Sequence, residues 1–216
     1  MDAQKRVKSH WVMIPVYGTC VFIVLYFIAT LLYPGGSQAD KAANGFSWLN
    51  NYWCDLLDEK AKNGATNNAR IIAVVAWCIV CLSLSVFWYF IPLLFSEDTR
   101  LTKLVRYSGS TAMFIAIPLF TPLHDWVIQV AGLFGLVALL ASFTGLYKNR
   151  LFDLFYSGLC CFVLMMFNYI IMMSGVFREY LPLIQKITFV IVLAWMLSIN
   201  RRLIRLLEGG DKRRFY

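Results

Sequence analysis

Residues 71–95 read IIAVVAWCIVCLSLSVFWYFIPLLF, 25 positions without a single charge. A helix rising about 1.5 Å per residue crosses a hydrocarbon layer of about 30 Å in about 20 apolar residues. A soluble core has no need of so long an apolar run. The segment therefore predicts a transmembrane helix, and the chain on either side repeats the pattern.

Upstream, a first apolar block covers residues 12–33 and follows Lys5, Arg6 and Lys8. It exceeds the h-region of a signal peptide, about 7–15 residues, so it is read as a retained anchor even though Ser37-Gln38-Ala39 resembles a cleavage site. Downstream, residues 107–147 are mostly apolar and too long for one span. The interruption Pro122-Leu123-His124-Asp125 divides them into spans 107–122 and 126–147. Proline removes a backbone donor and biases the preceding residue away from helix, and a His-Asp pair is costly inside lipid. Further blocks cover 151–175 and 183–199. The expected fold is all-α: one polytopic membrane domain over 1–216, a bundle of six transmembrane helices. A long ordered loop occupies 34–70 and a basic tail 200–216.

Composition agrees. The 216 residues are 60% hydrophobic and 15% charged, where a soluble domain is about 45–50% apolar and about 25% charged. The net charge of +8 does not imply nucleic acid, because the basic residues flank the apolar blocks instead of forming one stripe. They set a topology. With a cytoplasmic N-terminus, the inner segments hold fourteen Lys and Arg, the outer segments five, and Lys186 lies inside the last block. Both termini are expected in the cytoplasm, with the loop at 34–70 outside. Rows of small residues, Ser108-Ala112-Ala116 and Ala131-Gly135, are expected to be packing surfaces.

Sidedness sorts the polar residues. The outer loop carries Phe46 to Leu57, aromatic and apolar at intervals suited to a short interfacial helix. Asp55 sits among apolar neighbours, and Arg70 is its nearest candidate partner. The pair reads either as an ordered cap pinned by an ion pair or as part of a site. His124 and Asp125 read either as an acid-base pair or as a helix start capped by the aspartate. Lys186 either snorkels to lipid phosphates or pairs with Glu179 or Asp125. Asp55, Arg70, His124, Asp125, Arg178 and Lys186 together are the candidate ligand-binding set, lining an outward-facing polar crater.

No motif calls for a cofactor. Two histidines cannot build the three-histidine zinc site of ceramidase-type membrane hydrolases, and Cys78-x-x-Cys81 lacks a second pair. Phosphate loops and nucleophile elbows are absent. The tail alternates Arg201, Arg202 and Arg205 with apolar residues, predicting a helix along the inner leaflet that ends at Gly209-Gly210.

The order of these features resembles the six-helix membrane proteins of the damage-regulated autophagy modulator type and their bacterial relatives. The shared elements are a first span, an aromatic loop with Tyr52-Trp53-Cys54-Asp55, the Asn67-Asn68 pair and a polar turn before the fourth span. This chain keeps the aspartate of the loop motif and lacks a proline after the asparagines. The family's histidine falls near His124 or Gln129. The resemblance implies a lipid-associated or regulatory membrane protein and carries over no catalytic residues.

The leading expectation is a bacterial-type inner-membrane protein without enzymatic activity, binding membrane lipids or another membrane protein. The alternatives are a headgroup enzyme using Asp55, His124 and Asp125, and a small transporter. Transport is disfavoured by the few charges in the spans and the lack of an evident internal repeat.

Overall fold

Every long apolar block becomes a helix in the computed structural model, which describes residues 3–95 and 99–208. Six α-helices result: α1 (Ala3–Leu32), α2 (Arg70–Phe90), α3 (Thr99–Ala116), α4 (His124–Lys148), α5 (Phe152–Ser174) and α6 (Leu181–Leu207). The described residues contain no strand, only two isolated antiparallel bridges in the loop between α1 and α2. Each helix packs on the next in chain order, and α6 returns to α1 and closes a ring.

Five stretches are long and apolar enough to cross a membrane: His10–Leu32, Arg70–Leu94, His124–Lys148, Phe152–Ser174 and Arg178–Leu207. The third helix differs from expectation. It starts at Thr99, eight residues before the predicted 107, and takes in Arg100, Lys103 and Arg106. These charges do not break it because of where they fall. Arg100 and Lys103 are exposed, while Val105, Ser108 and Ala112 turn inward. Arg106 lies over the Tyr89 ring at 4.4 Å and donates to the Tyr89 carbonyl at 3.1 Å. The expected break at Pro122 is present. A tight helical turn, Ile117–Phe120, follows α3, and α4 begins at His124.

The tail also differs. It forms no separate surface helix, since α6 continues unbroken past Arg201, Arg202 and Arg205 to Leu207. The expected stop at Gly209-Gly210 lies outside the described residues.

The interior divides into two apolar clusters. One, near the far ends of α2 and α4, holds Val12, Phe87, Trp88, Val105, Leu146, Trp195 and Ile199. Trp88, close to the end of α2, is buried there. The other lies at the loop end and combines Phe22, Tyr26, Ala73 and Ala76 with loop residues Leu56, Leu57 and Ala61. The loop is thus part of the core. Small residues set the helix spacing, as expected of the α3 and α4 rows: a Cβ on Gly135 would lie 3.9 Å from Ala112 Cβ. At Gly18 of α1 a Cβ would overlap the Ser83 side chain of α2, whereas Gly132 of α4 has nothing within 4 Å.

These two glycines give a paired expectation. Gly18→Val forces α1 from α2 and costs about 2 kcal/mol, whereas Gly132→Ala is neutral or gains up to about 1 kcal/mol from helix propensity. Thermal unfolding of the detergent-solubilised protein reads both, and equal effects would refute this account of the α1–α2 contact.

Candidate functional site

Between α1 and α2 the backbone cannot use a helical ladder, so side chains satisfy it. Within residues 46–57, where the sequence suggested a short interfacial helix, only Trp53–Leu57 forms a helical turn. Ser37, Asn51, Asp55 and Asn67 are buried polar residues in an otherwise apolar setting. Such groups persist only when hydrogen-bonded.

Asp55 is the centre of this arrangement and is 1% exposed. Its Oδ2 accepts from Asn51 Nδ2 and from the Tyr52 backbone N–H, both at 2.9 Å. Its Oδ1 faces Lys62 Nζ at 3.1 Å and accepts from Gln38 Nε2 at 3.4 Å. Asn51 Nδ2 also donates to the Gly36 carbonyl at 3.0 Å. Gly36 has φ +79°, and a Cβ there would overlap the backbone at Asn63, so a glycine is needed where these two arms of the loop meet. Asn67 closes the other side, donating to the carbonyls of Asp55, Leu56 and Asp58 and accepting from the Ala69 N–H.

The partner of Asp55 is therefore Lys62, and the expected pairing with Arg70 is not made. Arg70 is held elsewhere. It donates to the Leu57 carbonyl at 3.1 Å, to Glu59 at 3.0 Å and to the Phe120 carbonyl at 3.3 Å, tying the loop to the turn after α3. Burial alone would lower the Lys62 ammonium, but Asp55 and Asp58 outweigh it and raise its pKa, so it stays charged.

Lys186 neither snorkels outward nor pairs with Glu179 or Asp125. It is 6% exposed and donates to the carbonyls of Asn51 and Pro182, with the Phe46 ring 5.6 Å away. Through Asn51 it joins the Asp55 network, so α6 holds the loop from below. His124 Nδ1 lies 3.2 Å from Asp125 Oδ1, and both residues remain accessible, Asp125 almost fully. Asp125 does not cap α4: the cap position is Leu123 and makes no side-chain bond. Arg178 is exposed; burial raises the pKa of the Tyr52 phenol, and the positive charge of Arg178 works against that rise.

The concave surfaces lie beneath the loop and are apolar. A cavity of about 310 Å³ is lined by residues including Tyr26, Trp53, Cys54, Trp77, Met165 and Phe189. A second, of about 420 Å³, is lined by residues including Ile23, Phe27, Phe46, Trp53, Leu193 and Ala194. Tyr26 and Trp53 border both and stack at 5.1 Å between ring centres, with Phe22 and Phe189 against them. The six candidate binding residues line neither cavity. Asn168, a polar residue midway along α5, does line the smaller one and donates to Thr188 of α6 at 2.7 Å. Among the described residues no group of three or more His, Cys, Asp or Glu side chains converges as a metal site.

Sequence reasoning missed Lys62, Asn51 and the aromatic wall. Asn51 stands four residues before Asp55, and Lys62 is one of few loop cations, so a search for loop-internal partners would have found both. No protein-family model, curated protein or solved structure matches the chain.

Two outcomes follow. Asp55→Ala removes the buried acceptor shared by Gln38, Asn51, Lys62 and the Tyr52 N–H and costs about 3 kcal/mol. Protease cleavage within 34–69 should accelerate in this variant, and a wild-type cleavage rate would contradict the pinning role of Asp55. Burial, aided by Asp55 and Asp58, pushes the Cys54 thiol up to about 12. A variant keeping Cys54 alone should react with a water-soluble maleimide at pH 8 at least about a hundredfold more slowly folded than denatured. Equal rates would show that the loop leaves this thiol open.

Proposed function

We propose that this chain is a six-span protein of the cell membrane, of bacterial inner-membrane type, that binds a lipid by seating an apolar chain in the cavities beneath its loop. The observation that carries the reading is the pair of apolar cavities under a loop fastened by a buried carboxylate. Cavities of about 300–1,000 Å³ with mostly apolar walls and few polar groups are the usual form of small-molecule sites. A lipid chain is the apolar ligand at hand for a site at membrane depth.

The topology in this reading has both termini in the cytoplasm. Its support is the charge bias of fourteen against five and the five long apolar helices. The sixth span is α3 with its following turn. At 18 residues α3 is about 27 Å long, close to the hydrocarbon thickness, and Arg100 and Lys103 lie in its first turns where a headgroup layer can solvate them. The resemblance to the autophagy-modulator type belongs to the same proposal and points to the same lipid association.

A headgroup enzyme finds less support. Asp55 already has four partners, and the His124–Asp125 pair lies away from both cavities.

Native mass spectrometry of the purified chain tests the reading. Val192→Trp and Ala194→Phe fill the smaller and larger cavity respectively, and Ile128→Phe alters an exposed face as a control. The filled variants should lose copurified lipid while the control keeps it. If both filled variants fold and carry the same lipids as the unaltered chain, the cavities are not the binding site.

A further inference from the structure

On the reading that the smaller cavity holds a lipid chain, its lining also points to the polar end of that lipid. Among the described residues, four buried side-chain atoms have no hydrogen-bond partner: Thr19 Oγ1, Trp53 Nε1, Trp88 Nε1 and Asn168 Oδ1. Native structures leave few such atoms, and each calls for a partner. Trp88 lines neither cavity. Thr19 belongs to the larger one, and a hydroxyl on a helix can turn to the backbone of its own preceding turn. Trp53 and Asn168 both line the smaller cavity, and neither has that freedom.

The Asn168 amide is oriented by its other end. Its Nδ2 donates to the Leu164 carbonyl at 2.8 Å and to Thr188 Oγ1 at 2.7 Å. A carbonyl only accepts, so the nitrogen stays on that side and the oxygen is the atom left over. The Trp53 indole is held among the rings of Phe22, Tyr26 and Phe189, whose centres lie 5.8, 5.1 and 5.2 Å away. Its N–H only donates. One cavity is thus bordered by a residue with a fixed acceptor and a residue with a fixed donor. Trp53 also borders the larger cavity, but the lining there holds no amide or carboxylate.

The rest of the lining decides the character of the ligand. Among the described residues no Asp, Glu, Lys or Arg lines the smaller cavity, so a charged group entering it would be unpaired. An ester or ketone oxygen accepts but cannot donate, and would answer Trp53 alone. A hydroxyl does both. A water would do the same, but one water takes only about 30 Å³ of a cavity of about 310 Å³. The remainder has room for roughly nine more groups of that size, between walls that include Met165, Phe189 and Val192. An alkyl chain fills that space and carries the hydroxyl with it.

We infer that the smaller cavity binds an uncharged lipid alcohol, whose hydroxyl accepts from Trp53 Nε1 and donates to Asn168 Oδ1. Its single alkyl chain occupies the apolar remainder.

Calorimetric titration of the full-length purified chain in detergent tests this with three probes: n-decanol, decyl methyl ether, which keeps the acceptor oxygen and loses the O–H, and decanoate at pH 9. The alcohol should bind about fivefold more tightly than the ether, the usual worth of one hydrogen bond, and decanoate should bind most weakly. Asn168→Leu should bring the alcohol down to the level of the ether and leave the ether unchanged. Trp53→Phe, which keeps a ring against Tyr26, should weaken both by a similar factor. Equal binding of alcohol and ether by the unaltered chain overturns the inference. So does an equal loss of both in Asn168→Leu, because that residue would then be structural. Unchanged binding of both in Trp53→Phe removes the indole from the site and overturns it as well, and tighter binding of decanoate than of the alcohol overturns the uncharged ligand. Val192→Trp separates this inference from the reading beneath it and should abolish binding of all three probes. If it does so while the alcohol and ether behave alike, the cavity reading stands and the lipid alcohol falls. If decanol binding survives in Val192→Trp, the cavity reading itself fails.

Discussion

A carboxylate taken out of water must be given back its solvation by the protein, and Asp55 is 1% exposed. The rest of the loop end follows from that requirement. Four donors converge on two oxygens, and they come from widely separated parts of the loop: Gln38, Asn51, Tyr52 and Lys62. Meeting at one point folds residues 34–69 back on themselves. The fold of the loop in turn places Trp53 against Tyr26 and leaves apolar space on both sides of that pair. Lys186 adds a bond from the bundle itself, to the carbonyl of the same Asn51 whose side chain serves Asp55. The cavities are thus a by-product of polar satisfaction above them. Their walls are mostly apolar, although Trp53 Nε1 and Asn168 Oδ1, on residues lining the smaller cavity, are buried without a hydrogen-bond partner.

The helices were legible in the sequence because their cause is local. An apolar run with no charge has few alternatives, and Pro122 and the following polar pair mark a break wherever they stand. The departures have equally plain causes. Arg106 stands just before the predicted span at 107–122, yet it finds the ring and carbonyl of Tyr89 on another helix. That contact is invisible along the chain. The alternation of Arg201, Arg202 and Arg205 with apolar residues does mark a helix, but arginines do not break one and α6 continues through them.

The site was legible only in part. That Asp55 is buried and needs a partner follows from its neighbours, and the loop was the right place to look. Which cation answers it does not follow. Arg70 opens α2, but its three bonds go to Leu57, Glu59 and Phe120, while Lys62 reaches across the loop. Grouping residues by side also joined His124 and Asp125 to the network, although these two side chains pair with each other. Sidedness is a one-dimensional coordinate. It cannot separate residues at equal depth around a ring of helices.

The order of chain contacts has a consequence for how such a molecule comes into being. The Lys186 bond to Asn51 joins residues 135 apart, and the bond from Asn200 to the Val12 carbonyl joins residues 188 apart. One fastens the loop to α6, and the other fastens α1 to α6. Neither can form while the chain is still being synthesised through its fifth helix. Until α6 arrives, the loop has Asp55 to fold around but nothing beneath it, and the ring is open on the side where α1 waits. The latest of these six helices to be made is therefore the keystone, and the compartments under the loop lack a wall until it is set.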